Sequence, residues 1–358
     1  MSLNKGFHNL RIAEVRRETP DAVSIRLDVP EALREAFRFK AGQHLTLRAD
    51  IAGADVRRTY SLCTAPGEDE VRIAIKQMPG GVFSGWANGT LAAGHVIDVL
   101  PPMGRFLLPE AGTHFVGIAG GSGITPVLSI LKHVLRERSD SRFTLIYGNR
   151  NTPSIMFLEE IAGLKDRYMG RLEVYHVLED EAEEIELFNG RLDRAKCDEI
   201  FSHLIDPADI DAFFVCGPGP MMDTVEETLR ERGVAPSRIL VERFTTSAPS
   251  SEQLRRSEAM QSKAAGVTLQ VVLDGRRSKL AFDPASHNIL ECVQKAGLNA
   301  PYACRGGVCS TCRAKVLKGE VSMLKNYGLT DDEVAEGYVL TCQAIPAAEG
   351  EIVLSYDE

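Results

Sequence analysis

Short segments near the start of the chain alternate apolar and polar side chains, with Gly and Pro between them. A period of two is typical of half-buried strands. The pattern predicts strands at 23–29, 44–49, 59–64, 71–77 and 95–100. Because a closed sheet leaves no unpaired edges, we predict that these strands form an antiparallel β-barrel.

The pattern changes after Pro109. Residues 113–120 predict a strand that runs into a Gly-rich turn, 124–137 carry apolar positions at helical spacing, and 142–148 predict a second strand. A strand, a helix and a parallel strand are the building block of a parallel sheet. Similar segments continue to residue 244, so we predict an α/β domain here.

A polar stretch rich in Ser and Ala follows at 245–266 and has the composition of a linker. Strands then resume at 268–274 and 278–283, followed by a short helix and a cysteine-rich loop. The predicted organisation is a barrel at 1–108, an α/β domain at 109–244, the linker, and an α+β domain at 267–358.

Composition adds few constraints. Apolar residues make up 44% and charged residues 25%, the profile of a soluble globular protein. No run of about 18 apolar residues predicts a membrane span, and the N-terminus lacks a signal-peptide pattern, so we expect a cytoplasmic protein. The net charge of -9 argues against a nucleic-acid surface.

Acidic residues are concentrated at the C-terminal end. Between Asp331 and Glu358 there are eight acidic side chains and no Lys or Arg. Such a run fits a solvated face, and it also fits a docking surface for a basic partner, where complementary charge speeds encounter.

Four of the eight cysteines are candidate metal ligands. The spacing Cys-x4-Cys-x2-Cys, with the fourth Cys after 29 intervening residues, matches the plant-type [2Fe–2S] pattern. Structural zinc is the alternative, but a zinc site of four cysteines usually brings two short pairs. The predicted cluster ligands are Cys304, Cys309, Cys312 and Cys342. The other four cysteines are expected to be buried small hydrophobes.

The segments 301–321 and 340–346 resemble a plant-type ferredoxin, and the resemblance covers 267–358. It implies a β-grasp fold for this domain and the same four cysteines as cluster ligands.

The tetrapeptide RTYS at 58–61 resembles the flavin motif of the ferredoxin–NADP reductase superfamily. The resemblance implies bound FAD, with Tyr60 packed on the isoalloxazine, the Ser61 hydroxyl bonded to the flavin and Arg58 facing its phosphate. Aromatic stacking and charge-assisted hydrogen bonds are the contacts such a ligand requires.

Two further segments extend this resemblance. The segment GGVFS at 80–84 precedes a predicted helix, and N–H groups at a helix N-terminus bind pyrophosphate. By the resemblance, Gly81, Val82 and Ser84 bind FAD there, and the strand carrying Ile75 and Lys76 runs along the flavin.

Two loops of the α/β domain resemble the nicotinamide-binding loops of the same superfamily. GIAGGSGITP at 117–126 lies at a strand-to-helix turn, although it departs from G-x-G-x-x-G. CGPGPMM at 216–222 is the second loop, and ERF at 242–244 resembles the terminal Glu-x-Phe. The implied nucleotide or flavin contacts are Gly120, Gly121, Gly123, Thr125, Cys216, Gly217, Pro218, Met221 and Phe244. The implied catalytic residues are Tyr60, Ser61, Cys216 and Glu242.

The choice of nicotinamide cofactor depends on the residues after the second and third strands. Arg150 suits the 2′-phosphate of NADPH. Glu179 and Asp180 would repel it, which favours NADH. We expect NADPH and keep NADH as the alternative.

The domain order resembles the oxygenase reductases whose iron–sulfur domain comes last. Segments 147–168 and 331–343 are most similar to the reductase components of phenylacetyl-CoA epoxidases, while 3-ketosteroid 9α-hydroxylase reductases share the architecture. The resemblance implies electron transfer from NAD(P)H through FAD and [2Fe–2S] to an oxygenase component, expected to be a diiron monooxygenase of phenylacetate degradation. A stand-alone flavin or quinone reductase and a non-catalytic iron–sulfur sensor are the alternatives from other functional classes.

Overall fold

The computed structural model describes residues 6–244, Arg255, Ala264 and 266–358. The predicted linker therefore lies outside the described residues, apart from Arg255, Ala264 and Gly266. The chain forms two compact units, divided between Arg243 and Phe244. Within the ranges just given, no helix combines the length and the apolar character needed to cross a bilayer.

The first unit begins with an antiparallel sheet of six strands in the order β4-β3-β6-β1-β2-β5. A bridge between Leu62 and Ile73 joins the ends of this order and closes the barrel. The pattern did not predict β1, and β4 begins earlier than expected. The strands are β1 His8–Thr19, β2 Ala22–Asp28, β3 His44–Ile51, β4 Ala54–Ser61, β5 Val71–Lys76 and β6 Val96–Met103.

The barrel interior is filled by the alternating apolar residues that predicted the strands. Leu45 and Leu47 on β3 are fully buried, as is Ile25 on β2. Helix α1, Val82–Thr90, adds Phe83 and Ala87 to this core. Burial of the helix face holds the N-terminus of α1 at the rim of the barrel.

The α/β part of the first unit is a parallel sheet of five strands in the order β11-β10-β7-β8-β9. Strand β7 is central, with β8 on one side and β10 on the other, so the strand order reverses there. The loops after β7 and β10 meet at this switch point, where such sheets bind ligands. The strands are β7 His114–Gly120, β8 Arg142–Asn149, β9 Leu172–Leu178, β10 Ala212–Cys216 and β11 Ile239–Glu242. The helices are α2 Ile124–Glu137, α3 Leu158–Arg167, α4 Arg194–His203 and α5 Gly219–Glu231.

A buried ion cluster joins the barrel to the parallel sheet. Lys132 on α2 lies 2.9 Å from Glu68 in the loop between β4 and β5, and 2.7 Å from Glu160 on α3. The Lys132 side chain is 7% exposed, so both carboxylates compensate a desolvated charge. This contact fixes the barrel against the parallel sheet.

The second unit has a sheet in the order β13-β12-β18-β14-β16, and a separate pair, β15 and β17. Its core includes Leu269, Val271 and Leu354, which are fully buried. The strands are β12 Thr268–Leu273, β13 Arg276–Ala281, β14 Arg313–Lys318, β15 Val321–Met323, β16 Tyr338–Leu340, β17 Ala344–Pro346 and β18 Glu351–Ser355. The helices are α6 Ile289–Lys295 and α7 Asp331–Ala335.

Candidate functional site

The predicted flavin-contacting residues lie at the ends of neighbouring barrel strands. Tyr60 and Ser61 end β4, and Ile75 and Lys76 end β5. The half-buried Tyr60 ring lies 5.6 Å from the Phe83 ring. Burial raises the pKa of Tyr60, so its hydroxyl stays protonated at neutral pH. An aromatic face with a neutral hydroxyl fits a flavin ring.

The N-terminus of α1 is built to receive an anion. Gly81 caps the helix without a side-chain hydrogen bond, and Val82 is 55% exposed. The Ser84 hydroxyl accepts the N–H of Met78 at 3.0 Å and donates to the carbonyl of Gly81 at 3.3 Å, which fixes the turn. The first N–H groups of a helix have no internal partner, so they can bind a pyrophosphate.

A methyl group at position 81 would lie 2.4 Å from the Ser84 Oγ. Glycine is therefore required where the chain enters the helix. Arg58 is exposed on β4, and its charge lies close enough to oppose the rise in the pKa of Tyr60. A cation, free N–H groups and an aromatic face together fit FAD.

Three predicted catalytic residues meet although they are distant in sequence. The Ser61 hydroxyl donates to Glu242 Oε2 at 3.1 Å. Glu242 on β11 is in register with Cys216 on β10. Burial raises the pKa of Cys216 well above its usual value, and the Glu242 charge raises it further. Cys216 is therefore held as a protonated thiol beside a carboxylate.

Sequence reasoning did not identify His44, which belongs to the same group. His44 is the cross-strand partner of Ser61 and is 7% exposed. Its Nδ1 lies 3.6 Å from Glu242 Oε1. No motif marks this residue, because only the register between β3 and β4 places it beside Ser61.

The two predicted nicotinamide loops are in direct contact. A Cβ on Gly123 would lie 2.0 Å from the carbonyl oxygen of Cys216, and one on Gly120 would lie 2.7 Å from Pro218 Cδ. Gly217 also approaches the Gly120 backbone closely. The Thr125 hydroxyl donates to the carbonyl of Ser122 at 3.0 Å and braces the turn. The glycines thus allow two backbones to share one edge of the sheet.

A groove of about 450 Å³ opens at this edge. One part is lined by Gly120, Gly121, Pro218 and Met221 from the two loops. The other part is lined by residues at or just after the ends of β8 and β9, and by residues just before α4: Asn149, Arg150, Glu179, Arg191 and Asp193. Its position beyond the carboxyl ends of parallel strands is where a dinucleotide binds.

Opposite charges alternate around the groove. Asp21 of the barrel lies 3.8 Å from Lys76 and 3.3 Å from Arg150. Glu179 accepts a hydrogen bond from Arg191, which lowers the pKa of Glu179. Arg150 and Arg191 are therefore each oriented by a carboxylate at the rim of the groove.

The four predicted cluster ligands lie in the second unit as two pairs of neighbouring thiols. Cys304 interacts through its thiol with Cys309, and Cys312 with Cys342, so one thiol of each pair donates to the other. In Cys304 and Cys342 this hydrogen bond is the largest influence and lowers the pKa. Two pairs of thiolates are the arrangement that a binuclear cluster needs, with one pair to each iron.

The loop that carries three ligands is shaped to turn its N–H groups toward sulfur. Arg305, Gly307 and Ser310 have positive φ angles of 53°, 77° and 56°. The N–H of Gly306 donates to Cys304 Sγ at 3.3 Å, and that of Gly307 bonds Cys342. Such hydrogen bonds stabilise thiolate ligands. The donor set therefore fits a [2Fe–2S] cluster.

Gln343 ties the fourth ligand to this loop, and sequence reasoning did not identify it. Its Nε2 donates to the carbonyls of Arg305 and Cys342, both at 3.0 Å. The remaining cysteines, Cys63, Cys197, Cys216 and Cys292, are buried as expected. Phe244 is half-buried at the start of the second unit, and its predicted flavin contact stays a prediction.

Comparison with known families matches three segments of the chain. Residues 9–107 match an oxidoreductase FAD-binding domain, 118–227 an oxidoreductase NAD-binding domain, and 271–347 a 2Fe-2S iron-sulfur cluster binding domain. The matched order is the one that the motifs predict.

Two curated relatives match this chain over almost its whole length and over almost their own whole length. The chain is 41% identical over 354 residues to a subunit of 1,2-phenylacetyl-CoA epoxidase from Escherichia coli, covering 98% of each chain. It is 33% identical to the ferredoxin reductase component of 3-ketosteroid-9-alpha-monooxygenase from Rhodococcus rhodochrous, covering 95% of this chain and 94% of that one.

Among solved structures, phthalate dioxygenase reductase superposes with a TM-score of 0.60 at 25% identity, covering 98% of each chain. That protein is described as a modular structure for electron transfer from pyridine nucleotides to [2Fe-2S]. The chain therefore belongs to the family of oxygenase reductases that join a FAD-binding, an NAD-binding and a C-terminal 2Fe-2S domain, the family that includes the reductase of phenylacetyl-CoA epoxidase.

Proposed function

We propose that this reductase supplies electrons to a diiron oxygenase that epoxidises phenylacetyl-CoA. The observation that carries the proposal is the 41% identity with the Escherichia coli epoxidase component over 98% of both chains. Reductases of 3-ketosteroid monooxygenases are the second candidate, at 32–34% identity. Both candidate functions use the same cofactors, so only the oxygenase partner distinguishes one function from the other.

We also propose a role for each residue at the flavin site. Arg58 and the N-terminus of α1, at Gly81, Val82 and Ser84, hold the pyrophosphate of FAD. Tyr60 packs on its ring and Ser61 bonds it. When bound, FAD accepts two electrons together from the nicotinamide and the cluster accepts them singly, which is why both groups are needed. The protein positions the groups and manages protons through Ser61 and Glu242.

For the nicotinamide nucleotide we propose NADPH. Gly120, Gly121, Gly123 and Thr125 form one wall of its site, and Cys216, Gly217, Pro218 and Met221 form the other. Arg150 and Arg191 then provide two cations for the 2′-phosphate. The sequence alone suggests that Glu179 would repel the 2′-phosphate. Because Arg191 compensates the charge of Glu179, this carboxylate does not exclude a phosphate from the groove.

Binding of 2′,5′-ADP and 5′-AMP to the purified protein tests this choice. Replacing Arg150 or Arg191 by Gln should weaken 2′,5′-ADP by about tenfold, since a charged hydrogen bond contributes roughly 1.5–3 kcal/mol and these arginines are largely exposed. Affinity for 5′-AMP should stay the same. Arg194→Gln, an exposed ion-paired arginine outside the groove, is the matched control. Equal losses for both nucleotides would contradict the proposal and favour NADH.

The cluster ligands are proposed to be Cys304, Cys309, Cys312 and Cys342. The domain boundaries at 108, 244 and 266 and a cytoplasmic location remain part of the same proposal. Eight cysteines without a disulfide and an iron–sulfur centre suit a reducing compartment.

Reconstitution tests the partner. Purified reductase should support NADPH-dependent epoxidation of phenylacetyl-CoA with the oxygenase components of the epoxidase, and much slower hydroxylation with a 3-ketosteroid oxygenase. Affinity capture from cells grown on phenylacetate, compared with steroid-grown cells, should retain the epoxidase components. Faster turnover with the steroid oxygenase would reverse the assignment, and dye reduction without turnover of either would favour a stand-alone flavin reductase.

A further inference from the structure

Asp21 is a barrel carboxylate at the rim of the groove, and the roles proposed above do not use it. It lies in the two-residue turn between β1 and β2, where Thr19 pairs with Ala22. Its Oδ2 atom lies 3.3 Å from Arg150 Nη2 and 3.8 Å from Lys76 Nζ. Both cations line the groove, so a negative charge stands where we propose that an anionic nucleotide binds.

The turn holds this carboxylate in a fixed place. The hydroxyl of Thr19, a residue that is 4% exposed, donates to Asp21 Oδ1 at 2.8 Å. The N–H of Gln77, next to Lys76, donates to the carbonyl of Asp21 at 2.7 Å. Pro20 has a fixed φ at the first position of the turn. The second carboxylate oxygen is therefore held toward the two cations.

The two cations differ in their freedom to move. The Arg150 side chain is 60% exposed and follows β8, whereas the Lys76 side chain is 18% exposed and ends β5. Burial lowers the pKa of Lys76, the charge of Asp21 opposes this change, and the charge of Arg150 adds to it. Because Arg150 is the more exposed partner, it can turn toward a ligand while Lys76 stays beside Asp21.

A 2′-phosphate in the groove needs the same guanidinium. Hydrogen bonds between arginine and phosphate are charge-assisted and often bidentate. The contact from Arg150 to Asp21 is a single hydrogen bond of 3.3 Å, which is long for a charged pair. A carboxylate so close to Arg150 also repels a phosphate that approaches this arginine. When the phosphate takes Arg150, Lys76 still compensates the charge of Asp21.

We infer that Asp21 limits the affinity for the phosphorylated nucleotide, because it competes with the 2′-phosphate for Arg150. Without the nucleotide, Arg150 bonds Asp21. With the nucleotide bound, Arg150 bonds the phosphate and Asp21 keeps only Lys76. The inference rests on the proposed NADPH site, and it adds a specificity-determining residue that the barrel contributes to that site.

Asp21→Asn tests the competition, because it removes the charge and keeps an oxygen that accepts the Thr19 hydroxyl. The affinities of FAD-loaded protein for 2′,5′-ADP and for 5′-AMP are measured at low ionic strength. The variant should bind 2′,5′-ADP about fivefold more tightly, the upper end of what an exposed ion pair contributes. Affinity for 5′-AMP should change much less, because this nucleotide lacks the 2′-phosphate. The gain should become smaller in about 0.5 M salt, which screens exposed charges.

Asp28→Asn is the matched control. Asp28 ends β2, is exposed, pairs with Arg11 at 2.7 Å and does not line the groove. This variant should bind both nucleotides as the wild type does. In an Arg150→Gln background, Asp21→Asn should tighten binding of 2′,5′-ADP by less than about twofold, because the two substitutions remove the same interaction.

The Tm and the FAD content of each variant show whether the turn is intact. If Asn perturbs the turn, Asp21→Ser provides a second variant, since serine also suits a turn position. Unchanged or weaker binding of 2′,5′-ADP by these variants would overturn the inference, and weaker binding would mean that Asp21 positions Arg150 for the phosphate. Wild-type protein that binds 2′,5′-ADP no more tightly than 5′-AMP would overturn the proposed NADPH site, and the inference with it.

Discussion

Replacing Gly123 by alanine tests whether the two nicotinamide loops must touch. The φ and ψ of Gly123 are -63° and -11°, which alanine adopts without strain. Any effect must therefore come from contact. The added Cβ would lie 2.0 Å from the Cys216 carbonyl oxygen and 2.7 Å from the Gly217 nitrogen.

The size of the effect follows from these distances. Non-bonded carbon contacts are ordinarily about 3.5 Å, so the loops must move apart by more than 1 Å. Overpacking costs typically 1–3 kcal/mol, and the clashing atoms are backbone that cannot rotate away, so we expect a loss of about 3 kcal/mol. At roughly 2–4 °C per kcal/mol for a unit of this size, the Tm should fall by roughly 6–12 °C.

Binding should suffer as well, because a misplacement of about 1 Å at a positioning loop can reduce turnover a hundredfold. The assay combines thermal unfolding with titration of 2′,5′-ADP. Gly163→Ala is the control, since nothing lies within 4 Å of the added Cβ and alanine in a helix should stabilise by about 0.5–1 kcal/mol. A Gly123→Ala protein with wild-type Tm and nucleotide affinity would refute the contact between the loops.

Three further variants test other parts of the structure. Gln343→Leu should release iron to a chelator up to about thirtyfold faster, because two hydrogen bonds of about 1 kcal/mol each are lost from the cluster loop. Gln294→Leu loses only a bond to the Arg305 side chain, so its rate of iron release should stay the same. Lys132→Met should lower the free energy of unfolding by about 3 kcal/mol, since Glu68 and Glu160 lose their shared cation. This loss should become smaller as falling pH protonates the two carboxylates. A loss that does not depend on pH in chemical unfolding would contradict the ion cluster. The N–H groups of His114 and Thr113 lower the pKa of Asp211 below its usual 3.8. The ionised Asp211 therefore stabilises the fold above that value, and this effect is lost as the pH falls through the lowered pKa. Asp211→Ala should reduce the Tm at neutral pH, and the difference in Tm between the variant and the wild type should disappear in acid.

Local motifs predict much of the fold and of the site. The pattern predicts helix α2, Ile124–Glu137, over the same residues that the structure shows, because its apolar positions follow one period and glycines precede it. The cysteine spacing indicates the cluster ligands because a tight loop must supply three of them. In both cases the chemistry depends on residues that are close in sequence.

What the sequence could not supply depends on contacts between distant segments. His44 becomes part of the site through register with Ser61. Lys132 joins the barrel to the parallel sheet through carboxylates from two other segments. Helix α4, Arg194–His203, escapes prediction because it buries only Cys197, Ile200 and Phe201, so its apolar face is too narrow to stand out. The hydrogen bond between Arg191 and Glu179 is likewise visible only in the fold.

We propose that four cysteines near the C-terminus hold a [2Fe–2S] cluster that receives electrons from NADPH through bound FAD. The direct measurement is the EPR spectrum of anaerobically purified protein after reduction by NADPH, with iron, acid-labile sulfide and zinc determined on the same sample. We predict iron and sulfide in equal amounts and the signal of a reduced [2Fe–2S] cluster, which Cys309→Ser abolishes while NADPH still bleaches its flavin. Zinc in place of iron, or bleaching of the wild-type flavin without a cluster signal, would contradict the account.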